Sequence, residues 1–141
     1  MTPSQLAELT ALSQAVQEAD AAILLSIKAE ETRIRAQLAA LDAQHKQAKD
    51  LPMIDTLHHR SLGGDMKWQI WVGHRRRELQ MQLARCLARQ GMARRKLRQS
   101  FGKRAALYHI QTDLETKRNH AKRSAGNETV IGLGVLQKGR P

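Results

Sequence analysis

Histidine and cysteine are the side chains here best suited to metal binding or nucleophilic catalysis, so their spacing is the first test of chemistry. The histidines are His45, His58, His59, His74, His109 and His120. No two of them lie four residues apart on a predicted helix beside a carboxylate, as a helical metal site requires. Cys86 is the only cysteine, so an internal disulfide is excluded. We therefore expect no catalytic residues, no metal and no cofactor, and a function other than catalysis.

Lysine and arginine are in excess and bring the net charge to +11. Residues 1–66 carry six Lys or Arg against nine Asp or Glu, whereas residues 67–123 carry sixteen against three. The basic clusters of the second segment lie at residues 75–77, 94–98, 103–104, 117–118 and 122–123. Three interpretations stay open: a solvated face, a surface for an acidic protein, or phosphate contacts with nucleic acid. These clusters lack the aromatic residues on which single-strand binders stack bases.

Trp68 and Trp71 form an aromatic and apolar cluster with Ile70 and Val72. Tryptophan is enriched at protein-binding hot spots, which favours exposure of this cluster to a partner. The alternative is packing against apolar residues of the preceding segment, namely Leu51, Met53 and Leu57.

The elements that position these residues are predicted to be helical. One Phe, one Tyr and two Trp are too few to fill a globular core, and strong helix formers dominate. The first helix is predicted over about 3–50, with Thr2 as N-cap and Pro3 in the first turn. Its predicted apolar stripe, which repeats partly every eleven residues, is Leu9, Leu12, Val16, Ala19, Ile23, Ile27, Ile34, Leu38, Leu41 and Ala48.

The second helix is predicted over about 66–122, after a connection at 51–65 that contains Pro52 and Gly63-Gly64 and ends with Asp65 as N-cap. Its main signal is a row at seven-residue spacing: Val72, Leu79, Cys86, Ala93, Ser100, Leu107, Leu114 and Ala121. Leu83 and Leu97 complete the seam, and Leu87, Phe101 and Tyr108 are expected to widen it.

These patterns predict an all-α fold, a long antiparallel two-helix coiled-coil hairpin over residues 1–123, with a flexible tail at 124–141. The acidic first helix is expected to lie beside the basic second one. The apolar patch at 130–136 is either a docking peptide or a segment without function. The sequence shows neither a secretory signal nor a stretch of ~20 apolar residues, so we expect a cytoplasmic protein.

A long first helix, a polar connection and a second helix that opens with the aromatic-rich segment 67–72 resemble the FliJ-like family. The repeating Leu, Arg and Gln of residues 77–83 also match. These are coiled-coil stalk proteins of the export ATPases of flagellar and related type III secretion systems. The resemblance covers most of residues 5–122. It implies a non-enzymatic adaptor, cytoplasmic but peripheral to the inner membrane through its partners.

The resemblance also implies two sets of contact residues. The ends of the chain would enter a hexameric export ATPase ring through Leu6, Leu9, Leu12, Leu114, Lys117, Arg118 and Lys122. The hairpin end would meet the export gate membrane protein through Leu41, Leu51, Trp68, Trp71 and Val72. Export chaperones are further implied partners, and no small-molecule substrate is expected. The alternatives are a basic coiled coil associated with nucleic acid and a self-associating structural coiled coil.

Overall fold

The computed structural model describes residues 1–50 and 64–138, which form two long α-helices and no strand. Helix α1 spans Pro3–Lys49 and helix α2 spans Gly64–Lys138. The all-α prediction is confirmed. Residues 51–63 of the predicted connection, with Leu51, Pro52 and Gly63, lie outside the described residues, whereas Gly64 and Asp65 belong to α2.

The start of α1 has the N-cap that the sequence predicts. The backbone N–H of Gln5 donates to Thr2 Oγ1 at 3.2 Å, and the backbone N–H of Thr2 donates to Gln5 Oε1 at 3.1 Å. This reciprocal pair is a capping box, which satisfies two N–H groups that have no partner within the helix. At the other end, Lys46 and Lys49 lie in the last turn, where positive charge stabilises the helix dipole.

The residues group into two units. Unit 1 comprises Met1–Gln17 and Gln99–Pro141, and unit 2 comprises Glu18–Arg98. Each unit therefore contains a part of α1 and a part of α2.

The hydrophobic core of unit 2 lies where α1 and α2 pack together. Its buried members are Ile34, Leu41, Val72, Leu79 and Cys86, with Ile27, Leu38, Trp68 and Leu83 packed against them. The row predicted on the second helix is therefore buried from Val72 through Ala93, and Ser100 continues it as a buried residue of unit 1. Leu114 and Ala121, the last apolar residues of that row, are exposed.

The inward face of α1 differs from the predicted stripe in its first half. Ile27, Ile34, Leu38, Leu41 and Ala48 are buried or partly buried, as expected. By contrast, Leu9, Leu12, Val16, Ala19 and Ile23 are exposed.

Two interleaved rows at seven-residue spacing take the inward positions of α1 instead. The first row is Leu6, Ser13, Asp20, Ile27, Ile34, Leu41 and Ala48, and the second is Thr10, Gln17, Leu24, Glu31, Leu38 and His45. The eleven-residue repeat was the wrong period, because α2 keeps its own seven-residue row and a helix packed on such a row keeps matching residues inward. Polar residues thus enter the seam, and one of them, His45, has a buried Nδ1 without a hydrogen-bond partner among the described residues.

Three residues of α2 do not widen the seam. Leu87, Phe101 and Tyr108 are exposed, although we expected them to be covered. Each follows a seam residue by one position and points about 100° away from it. Neither unit contains another helix on that side to cover these side chains, as far as the described residues extend.

Helix α2 is longer than predicted. It begins at Gly64, includes Asp65, and runs to Lys138 and not to about residue 122. Gly126, Gly132 and Gly134 lower helix propensity but break no hydrogen bond, and no proline interrupts the segment before Pro141. From residue 121 to residue 135 every side chain is exposed. The final turns of α2 therefore gain nothing from tertiary packing.

Candidate functional site

Unit 1 contains an apolar groove between its two helix segments. The groove has a volume of about 450 Å³ and is lined by Leu9, Leu12, Ser13, Val16, Ser100, Lys103, Ala106, Leu107 and Ile110. Leu9, Val16 and Ile110 are more than one-third exposed, and Leu12 is 62% exposed. Large apolar side chains thus line a concave surface that is open to solvent.

The groove exists because Thr10 and Gln17, and not Leu9 or Leu12, face α2 in this part of unit 1. Thr10 and Gln17 are partly buried there; Thr10 Oγ1 donates to the Leu6 carbonyl at 2.8 Å, and Gln17 Oε1 accepts from Arg104 Nη1 at 2.8 Å. Leu9 and Leu12 therefore lie on the side of this seam. Polar residues thus occupy inward positions while leucines remain exposed in an open groove. Exposed apolar surface of this kind is typical of a site for a binding partner.

Two of the seven residues expected to contact an ATPase ring line this groove, and the other five do not. Leu9 and Leu12 line the groove, whereas Leu6 is buried. Leu114 and Lys117 are exposed on α2 beyond Ile110. The other two, Arg118 and Lys122, are also exposed on α2.

Sequence reasoning missed Val16, Lys103 and Ile110 as members of this site. Val16 belonged to the predicted stripe but was assigned to the interior. Ile110 and Lys103 lie three residues after and four residues before Leu107, which is the spacing that places side chains on one helix face. That spacing was a usable signal for a second apolar face on α2.

Unit 2 carries a ladder of polar contacts between α1 and α2. Asp42 pairs with Arg76 at 2.5 Å and Glu30 pairs with Arg89 at 2.8 Å. Further along, Lys96 Nζ lies 4.0 Å from Asp20. Contact positions rise along α2 as they fall along α1, so the two segments of this unit run in opposite directions. The acidic first helix does lie beside the basic second one here.

Hydrogen bonds in this ladder shift two pKa values. Arg35 and then Gln90 donate to the Glu31 carboxylate, and these bonds lower its pKa below the ordinary value of 4.5. The Glu30 carboxylate accepts a hydrogen bond from Arg89 and raises the pKa of that guanidinium. Both effects favour the charged forms at neutral pH, which suits a structural ladder more than proton transfer.

The tryptophan pair lies at the start of α2. The rings of Trp68 and Trp71 stack with centroids 5.2 Å apart and planes 23° apart. Trp68 packs against the core, and its buried Nε1 makes no hydrogen bond to the part of the chain that the structure describes. Trp71 is 50% exposed. One face of this pair is thus available to a partner.

The residues expected to contact an export gate divide accordingly. Leu41 and Val72 are buried core residues of unit 2 and offer no surface to a partner. Trp71 is exposed and Trp68 is partly so, while Leu51 lies outside the described residues, as do Met53 and Leu57. A contact at this end therefore depends on the tryptophans.

Residues 1–50 and 64–138 contain no group of three or more His, Cys, Asp or Glu placed to hold a metal ion. Cys86 is fully buried, and its Sγ donates to the Ile27 carbonyl at 3.4 Å. A thiol in this environment serves as a small core side chain.

Comparison with known proteins adds no assignment to this geometry. Within the described ranges, neither helix has an apolar stretch long enough to cross a membrane. The groove of unit 1, the ladder of unit 2 and the tryptophan pair are therefore the features on which a function rests. No protein-family model, curated protein or solved structure matches this chain.

Proposed function

We propose that this protein is a non-enzymatic helical adaptor, an antiparallel two-helix coiled coil with a flexible C-terminal tail. It binds one partner through the groove of unit 1 and a second through the tryptophan pair of unit 2. The observation that carries the proposal is the open groove, because Leu9 and Leu12 stay exposed while polar residues occupy the seam beside them.

The proposed antiparallel coiled coil is supported by the spacing of the inward residues and by the order of the contacts between α1 and α2. Inward positions recur every seven residues on both helices, and the contacts of unit 2 run in opposite directions along α1 and α2. Seven-residue spacing is the repeat on which knobs-into-holes packing depends.

The partners we propose are those of the FliJ-like stalk proteins. Unit 1 binds a hexameric export ATPase, and Trp68 and Trp71 bind the export gate membrane protein, with export chaperones as additional clients. The adaptor acts in the cytoplasm and reaches the inner membrane through the gate. Length, basicity, and the aromatic opening of the second helix support this assignment.

Nucleic-acid binding is the second candidate, favoured by one specific observation. Arg95 and Arg98 are exposed on α2, and their guanidinium groups show no hydrogen bond or ion pair within the described residues. Free guanidinium groups of this kind bind phosphate, and such binding weakens by orders of magnitude between low and moderate salt.

Co-purification tests the proposed function. Tagged full-length protein is recovered from its native cytoplasm after nuclease treatment, and bound proteins are identified by mass spectrometry. We expect a hexameric export ATPase with the wild type and its loss when residues 1–12 are removed. If partners were recovered only when the nuclease is omitted, the stalk assignment would be wrong and the nucleic-acid candidate would be supported.

A further inference from the structure

The groove of unit 1 has the form of a site for one more helix. We propose that its occupant is an acidic amphipathic α-helix of a partner protein, which lies between the two helix segments of unit 1 as a third helix. The inference rests on the proposed adaptor function, since it states the chemistry of the partner that the groove takes.

The walls of the groove carry the spacing of a helix interface. On α1, Leu9, Leu12 and Val16 follow one another at intervals of three and four residues; on α2, Leu107 and Ile110 are three residues apart. Leu114 continues the α2 wall after four more residues. Intervals of three and four residues on both walls match the apolar stripe of a helix, which anchors in a groove at the same intervals.

The groove is shaped for side chains such as leucine and not for phosphate. Of its lining residues, only Lys103 is charged, and the serines Ser13 and Ser100 are the other polar members. A volume of about 450 Å³ accommodates several aliphatic side chains. The apolar face of the ligand therefore supplies the contact area.

The charge around the groove selects an acidic ligand. Lys103 lines the groove, and Arg104, Lys117 and Arg118 follow on α2 in the same unit. Glu8 is the only acidic residue that α1 contributes to unit 1. These cations attract a helix that carries Glu or Asp beside its apolar stripe. The attraction raises the rate of encounter and favours acidic partners over others.

A second copy of this chain is a poor occupant on the same ground. Each copy carries a net charge of +11, so two grooves face to face would bring basic α2 segments together. Like-charge contact of this kind disfavours association, which leaves an acidic partner as the occupant.

A labelled probe peptide tests the inference with full-length protein. The probe has three heptads, Leu at the seam positions and Glu at the flanking ones, and its binding is followed by fluorescence anisotropy. We expect saturable binding by the wild type and at least about tenfold weaker binding by Leu12→Glu and by Ile110→Glu, one variant from each wall.

Leu25→Glu is the matched control. Leu25 is on the same helix as Leu12 and is 69% exposed, but it lies in unit 2, outside the groove. We expect this variant to bind the probe like the wild type. Circular dichroism confirms that each variant keeps its helix content, so weaker binding reports on the groove and not on folding.

Three results would overturn the inference. The first is wild-type affinity in both groove variants, and the second is equal affinity for a probe in which Lys replaces Glu. The third is a concentration-dependent dimer without peptide that Leu12→Glu converts to monomer, since a second copy would then fill the groove.

The outcomes also separate the inference from the function on which it rests. Probe binding at the groove without recovery of an ATPase would count against the export stalk and leave the acidic-helix site in place. Recovery of the ATPase by wild type and Leu12→Glu alike would support the stalk and overturn the groove as its binding site.

Discussion

Gln90 Nε2 donates a hydrogen bond to Glu31 Oε2 at 3.0 Å, from a buried position on α2 to a partly buried one on α1. The other carboxylate oxygen of Glu31 accepts from Arg35 Nε at 2.9 Å. Both Gln90 and Glu31 occupy inward positions that a simple coiled coil gives to apolar residues. The carboxylate is tolerated there because each of its oxygens has a donor.

Stability should depend on the charge of Glu31. Its pKa is lowered in the folded chain, so its hydrogen bonds stabilise the fold above the ordinary pKa of 4.5 and this contribution is lost as the pH falls below it. The difference in urea midpoint between wild type and Glu31→Gln is expected to be full at neutral pH and to shrink in acid. Glu115→Gln, at an exposed position on α2, is the control. A difference independent of pH would contradict the assignment.

Leu79 should be among the costliest residues to truncate. It is 1% exposed in the core of unit 2. Leu79→Ala removes buried aliphatic carbon and leaves a cavity, so we expect a loss of about 2–5 kcal/mol in the free energy of unfolding. Leu25→Ala, at an exposed position of the same unit, should change it by less than about 0.5 kcal/mol. If urea denaturation showed the same loss of stability for Leu79→Ala and Leu25→Ala, the assignment of Leu79 to the core would be wrong.

Two glycines of α2 should be replaceable with a gain in stability. A Cβ added at Gly91 or Gly102 meets no atom within 4 Å, so neither glycine is required by a close approach. Gly91→Ala and Gly102→Ala should each raise the free energy of unfolding by about 0.5–1 kcal/mol through helix propensity. Thermal and urea denaturation measure the change. Lower stability in either variant would show that the bare backbone has a role in binding or packing.

The last turns of α2 should open more readily than the rest. Side chains from 121 to 135 are exposed, and three glycines weaken the segment, so only local propensity holds it helical. Limited trypsin digestion should cut first after Arg123, while the equally basic segment at Arg94 and Arg95 stays protected. Hydrogen exchange should show the same order. Protection beyond residue 124 equal to that at Leu79 would contradict the proposed flexible tail.

The row on α2 could be predicted because its apolar members recur every seven residues over several heptads. Val72, Leu79 and Cys86 are all buried as expected. On α1 two stripes compete in the first half, and hydrophobicity alone selects the stripe through Leu12. The stripe that faces α2 is instead the one whose polar residues form hydrogen bonds and ion pairs with α2. The partners in these contacts lie more than fifty positions away in sequence.

The groove could be predicted only in part for the same reason. The family resemblance implies that Leu9 and Leu12 are partner contacts, and both line the groove. Leu9 and Leu12 are exposed because a different face of α1 packs against α2. The apolar pattern of α1 alone does not determine which of its faces packs there. The length of α2 was missed because glycine marks a helix end only when a turn or a cap uses its freedom.

Buried Gln90 restricts how far the helices of unit 2 can slide. A slide of α2 by one heptad would keep apolar residues against apolar residues, so hydrophobic burial alone tolerates several alignments. It would also bring Leu83 or Leu97 to the Glu31 carboxylate in place of Gln90, so that this acceptor would lose one of its donors. The Gln90–Glu31 hydrogen bond therefore favours one alignment of the two helices, together with the ion pairs Arg76–Asp42 and Arg89–Glu30.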